Sequence, residues 1–247
     1  MATIRWYNEH YDAYDFRQDA CGHGVAFLYY SNERPQTSSQ SLIFKSIFNG
    51  NAVVVIPKGI TAGYGNHIVS AKLSCSLRET FTIDSENDTE KFYVNMTPIW
   101  WANGMEDDFS DWSHGVRHTW DAEWDNEMEF EIQIFSVPEL KAAAGEMIGI
   151  SGGLPDILKI PPSLMPPPVL EGGWGDSDVD SGGQDEMLVS GTLKTKIEYV
   201  LKASFKTHVQ AEVDVSSNFA ATQSSTALTY LIPTYRLYCG LSETSFV

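Results

Sequence analysis

Ile197-Glu-Tyr-Val-Leu-Lys-Ala-Ser-Phe-Lys-Thr-His-Val-Gln-Ala-Glu-Val-Asp-Val215 decides the fold class. Its odd positions read Ile197, Tyr199, Leu201, Ala203, Phe205, Thr207, Val209, Ala211, Val213 and Val215. Its even positions carry Glu198, Lys202, Ser204, Lys206, His208, Gln210, Glu212 and Asp214, with Val200 as the exception. Successive side chains of a strand point to opposite faces, so this period-two pattern specifies one buried face and one solvated face. At about 3.3 Å per residue the run would reach roughly 60 Å if unbroken, whereas ordinary strands hold about 5–6 residues. A bulge inside it is equally compatible with the pattern.

Three more runs repeat this pattern. From Val69 the apolar side is Val69, Ala71, Leu73, Cys75, Leu77, Phe81 and Ile83, interrupted by Glu79. A polar stretch at 84–90 follows, and Phe92, Val94 and Met96 then alternate with Tyr93, Asn95 and Thr97, which reads as the second arm of a hairpin. In the third run Trp120, Ala122, Trp124, Met128, Phe130, Ile132 and Ile134 share a face that Asn126 breaks. The opposite face carries Asp121, Glu123, Asp125, Glu127, Glu129 and Glu131. Lys194, Lys196, Lys202, Lys206 and His208 occupy the polar side of the 193–215 run. Opposite charges thus suggest that the third and fourth runs pair, across an insertion at 135–190.

Helix signals are few. Val137-Pro-Glu-Leu-Lys-Ala-Ala-Ala-Gly145 has Pro in the first turn and Gly at the end, and reads as one short helix. Beyond it, prolines and then an acidic, Gly-rich stretch to Glu186 read as a loop or linker. The expected architecture is mainly β (α+β at most). It has long twisted antiparallel sheets, amphipathic hairpins and one or a few short helices. Residues 1–247 form a single domain with a Pro/Gly/acidic insertion at about 150–190.

The net charge of −17 is unevenly placed: −12 over 84–131, −6 over 171–186, and +1 in each of 1–83 and 187–247. This excludes a generic nucleic-acid binder, which needs a cationic face. Cys21, Cys75 and Cys239 are too few and too scattered for a disulfide framework. No basic-then-apolar leader opens the chain, so a reducing, cytoplasmic setting is expected. No run is long and apolar enough for a spanning helix.

Tests for site chemistry return little. Asp176-Ser-Asp-Val-Asp180 begins like a calcium loop, but Ser181 and Met187 stand where Gly and Glu are needed. His114 and His118 lack the Glu of a metalloprotease helix. No nucleophile elbow, phosphate loop or dinucleotide fingerprint is present. No catalytic residue, metal site or cofactor is expected. Trp100-Trp101 is notable because neighbours in a strand face opposite ways, so one of the pair belongs outside. Trp101 or Trp174 is the natural sugar-stacking candidate.

Membrane-spanning strands need about 9–11 residues with one apolar and one polar face, and each of the four runs reaches that length. The layout resembles the pore-forming domain of gasdermins, most of all the fungal gasdermin-like type, over about residues 24–240. Aerolysin-like pore formers are the second family it resembles. The chain departs from gasdermins in lacking a basic amphipathic helix at its start. The resemblance implies a cytoplasmic protein that oligomerises, moves to the plasma membrane, binds lipids such as acidic phospholipids and inserts β-hairpins, causing cell death. The inserting faces would then be Val69, Leu73, Leu77, Phe81, Phe92, Val94, Met96, Trp124, Met128, Phe130, Ile132, Ile197, Tyr199, Leu201, Phe205, Val209 and Val213. The lumen would carry the six carboxylates of the third run with Lys194, Lys196, Lys202 and Lys206. The alternatives are a non-enzymatic carbohydrate- or protein-binding β-sandwich, or a self-assembling viral or structural protein.

Overall fold

A computed structural model describes the backbone of residues 2–21, 25–31, 36–37, 41–44, 49–56, 65–105, 109–113, 116–147, 162–215 and 227–241. Two antiparallel sheets account for most of it. The first sheet runs in the order β1 (Thr3–Cys21), β6 (Gly65–Asp84), β13 (Glu198–Val215), β9 (Val116–Ser136), β10 (Leu170–Asp176), with β8 (Phe109–Ser113) also on β9. The second sheet is centred on β7 (Thr89–Met105) and β14 (Ala227–Leu241). Strands β12 (Met187–Lys194) and β11 (Gly183–Gln184) flank β7. Strands β5 (Asn49–Ile56) and β4 (Ser41–Phe44) flank β14, and they carry β2 (Val25–Ser31) and β3 (Gln36–Thr37).

The mainly-β expectation holds, and so does the pairing of the third run with the fourth. Strand β13 pairs β9 from Tyr199↔Ser136 to Val215↔Trp120 without a shift, and is equally continuous with β6 on its other side. Strand β1, at the edge, carries two register shifts, Tyr7/His10 and Asp12/Asp15. Bulges at an edge discourage pairing with other chains.

The first expected hairpin is corrected. Strands β6 and β7 are consecutive, but they lie in different sheets, and the turn at 85–88 carries the chain across. The physical reason is burial: each strand has one apolar face, and placing the two strands in opposite layers turns those faces toward each other. A second crossing, the turn Thr195–Lys196 between β12 and β13, is bonded to the first. Thr195 N donates to Asp88 O at 2.9 Å, Thr195 Oγ1 to Asn87 O at 2.6 Å, and Lys196 N to Ile83 O at 2.8 Å. Lys196 takes the left-handed conformation there, with φ of 59°. On the other side of the first turn, Ser85 and Asn87 donate to the Glu90 carboxylate and hold it below its ordinary pKa.

The core lies between the sheets. Leu77, Phe81, Met128, Phe130, Ile132, Tyr199, Leu201, Phe205 and Val209 from the first sheet meet Phe92, Val94, Met96, Ala102, Leu231, Leu237 and Cys239 from the second. Phe81 stacks on Phe92 with ring centroids 5.0 Å apart, which ties the two layers together. Phe130 and Phe205 stack at 5.1 Å within the first sheet. Each fully buried large apolar side chain contributes about 1.5–3 kcal/mol relative to exposure. The short helix α1 (Val137–Met147) packs Val137 and Leu140 on Phe135 and Val200, which accounts for the apolar exception at position 200.

The acidic linker is also corrected. Residues 169–194 are built into the sandwich: Val169 N bonds Ile134 O at 2.7 Å, β10 pairs β9, and β11 and β12 pair β7. Glycine makes this possible. A Cβ on Gly172 would collide with the Val189 side chain, so only glycine lets β10 and β12 close that side of the sandwich.

Candidate functional site

Most residues assigned to inserting faces are core in this structure. Leu77, Phe81, Phe92, Val94, Met96, Met128, Phe130, Ile132, Tyr199, Leu201, Phe205 and Val209 are all buried. Ile197 packs half-buried on the same core. Trp124 reaches across to β7, where a Cβ on Gly104 would collide with its indole. Val69, Leu73 and Val213 lie on β6 and β13, but their side chains fall outside the described residues, as does that of Asp121 on β9. The polar set divides. Glu123, Asp125, Glu127, Glu129, Glu131, Lys202 and Lys206 belong to the outer side of the first sheet. Lys194 ends β12 in the second sheet, and Lys196 sits in the crossing turn. These two corrections follow from one fact: β13 begins at Glu198, so the alternation does not extend back through the turn.

The two breaks in the apolar alternation are both inward. Glu79 and Asn126 are buried among the core side chains. Asn126 clamps a loop through two hydrogen bonds. Its backbone O accepts from Val179 N at 3.0 Å, and its Nδ2 donates to Val179 O at 3.1 Å. This pair of bonds holds the loop after β10 and sends Val179 into the core. Burial, with a smaller contribution from Glu79, pushes the Cys239 thiol well above its ordinary pKa, so that thiol stays protonated.

On the outer side of the first sheet, the register makes opposite charges meet along part of the ladder. Lys206 is opposite Glu129, with Nζ 2.8 Å from Oε2, and His208 is opposite Glu127, with Nδ1 3.4 Å from Oε2. Further along, Glu212 is opposite Glu123 and Asp214 opposite Asp121. Like charges directly opposite destabilise a ladder. Burial first, and then the neighbouring Glu127, raise the Asp125 carboxyl above its ordinary value; His208 opposes this and Asp178 adds to it.

The outer side of the second sheet is different in kind. Along β7 the outward row is Tyr93, Asn95, Thr97, Ile99, Trp101 and Asn103. Beside it, Leu188 of β12 and Tyr238 of β14 flank Asn95, and Arg236 flanks Thr97. Trp101 is 68% exposed, Leu188 62% and Tyr238 37%. Tyr93 and Tyr238 meet at 5.6 Å between ring centroids, and Asn95 donates to Glu186. Trp101 is the outward member of its pair, while Trp100 is partly buried against the core and lies 5.3 Å from Trp174. Trp174, the other stacking candidate, is half-buried, and its Nε1 donates to Asp185 Oδ2 at 2.6 Å. Leu188 and Tyr238 were not anticipated from the sequence; the outward phase of their alternation is the signal that marks them.

No family model matches this chain, and no curated protein matches it. Two solved structures show a distant likeness. One is the enzymatically active domain of bacteriophage CBA120 tailspike protein 4, at 10% identity and TM-score 0.19, covering 93% of this chain and 19% of that one. The other is infectious bursal disease virus, Gx strain, at 8% identity and TM-score 0.20, covering 97% and 62%. The chain thus spans less than two thirds of either, and at these scores neither likeness bears on function.

Proposed function

We propose that this chain is a non-enzymatic binding β-sandwich whose contact surface is the outer face of the second sheet. The carrying observation is Trp101, 68% exposed on a central strand whose opposite face is buried in the core. An exposed indole on a rigid strand offers a large stacking surface with little ordering cost on binding. Asn95 and Thr97 supply amide and hydroxyl groups along the same row, about 13–20 Å from Trp101 at the rise of a strand. Aromatic rings beside amides and hydroxyls suit a glycan, whose C–H faces stack and whose hydroxyls hydrogen-bond. The test is a glycan array read with wild type and Trp101→Ala. Retained binding by a folded Trp101→Ala variant removes this surface from consideration.

A second reading rests on the β9–β13 ladder. Strands of 21 and 18 residues in continuous register are about twice the length a spanning strand needs. Membrane insertion as an oligomeric pore would turn Phe130 and Phe205 from the core to lipid. It requires dye release from acidic-phospholipid vesicles, with ring-shaped oligomers on them, and the absence of both removes it.

A further inference from the structure

The ladder between β9 and β13 changes character at His208. Before it, Lys206 is paired with Glu129; beyond it, Glu212 lies opposite Glu123 and Asp214 opposite Asp121. At the boundary, one carboxylate oxygen each of Asp125 and Glu127 and one imidazole nitrogen of His208 all lie within 4.8 Å of one another. The three come from adjacent strands of one rigid sheet, so their spacing is set by the ladder rather than by flexible loops. Two observations set this group apart from an ordinary patch of surface acids. The His208 side chain is only 17% exposed; its Nδ1 is the nitrogen turned to Glu127, 3.4 Å from Oε2, while its Nε2 is buried on the other side of the ring with no hydrogen-bond partner. Also, the loop that Asn126 clamps beside the ladder through Val179 carries the acidic side chain of Asp178.

We propose that Asp125, Glu127 and His208 bind a divalent first-row transition-metal ion. One imidazole nitrogen and two carboxylate oxygens form a mixed donor set that suits Zn²⁺ or its neighbours. Calcium and magnesium prefer oxygen alone. Three protein ligands leave the remaining positions to water, or to Asp178 if the loop moves closer. A dication at this point offsets the repulsion that builds toward Glu123 and Glu212.

The test is a titration of the metal-stripped full chain with Zn²⁺ by calorimetry and with Co²⁺ by visible absorption. The expected result is one ion per chain, with Zn²⁺ raising the thermal midpoint. Glu127→Gln and His208→Ala should each weaken binding by at least about tenfold, as losing a ligand does. Glu131→Gln, a carboxylate of the same row outside the group, should leave binding unchanged. Glu127→Gln keeps the side-chain shape, so it remains informative if His208→Ala fails to fold. Absence of saturable binding to wild type, wild-type affinity in Glu127→Gln, or Ca²⁺ binding as tightly as Zn²⁺ would overturn the proposal.

Discussion

The two sheets share one core but present opposite outer faces. The outer face of the first sheet is ionic, with a carboxylate row on β9 beside Lys202, Lys206 and His208 on β13. The outer face of the second sheet has few charges at its centre, Arg236 and Glu186 among them, and leaves Trp101, Leu188 and Tyr238 to solvent. Inner faces answer to folding, since both must fill the same space between the layers. Outer faces answer to water or to a partner. A solvated charged face needs no partner, whereas large apolar side chains exposed on one face are a feature that contact surfaces share.

The shared core should show the largest effects. Phe205→Ala from the first sheet and Phe92→Ala from the second should each cost about 3–5 kcal/mol in denaturant unfolding. A large difference between them would show that the sheets do not share one core. Asn126→Ala comes next, at about 1–3 kcal/mol, because it leaves the buried Val179 carbonyl without its side-chain donor. The same variant should raise hydrogen exchange selectively in the loop after β10. Lys206→Ala should cost less than about 1 kcal/mol, since both ends of its ion pair with Glu129 are more than half exposed and the pair is screened by salt. Trp101→Ala should change stability by no more than about 0.5 kcal/mol, as an outward side chain makes little of the core. Cys239 sharpens the picture of the shared interior. Its thiol pKa is raised, so the reactive thiolate is scarce below that pKa, and alkylation mapped by mass spectrometry at about pH 8 should spare it until the protein unfolds.

Much of this layout is legible in the sequence because alternation is a local signal. The runs through Phe81, Phe130 and Phe205 identify the strands and their inner faces, and Trp100-Trp101 yields one inward and one outward ring. Which sheet a strand joins is not local. The polar turn at 85–88 would serve a hairpin or a crossing equally well, and only the burial of β6 against β7 distinguishes them. Gly172 illustrates the same limit. Beside Gly173 and a string of aspartates it reads as linker, yet its role depends on Val189, which belongs to another sheet. Asn126 is visible as a break in pattern, but its partner Val179 lies 53 residues away. The cluster of Asp125, Glu127 and His208 likewise depends on the register of two strands separated by the whole insertion, and no spacing rule within either strand reveals it.

The proposed contact surface is the outer face of the second sheet, with Trp101 as its anchor. The most direct measurement reads glycan-array binding and thermal unfolding on wild type and Trp101→Ala in parallel. The predicted result is binding by wild type, its loss in the variant and unchanged thermal midpoints. Equal binding profiles at equal stability, or a wild type that binds nothing on the array, would contradict it.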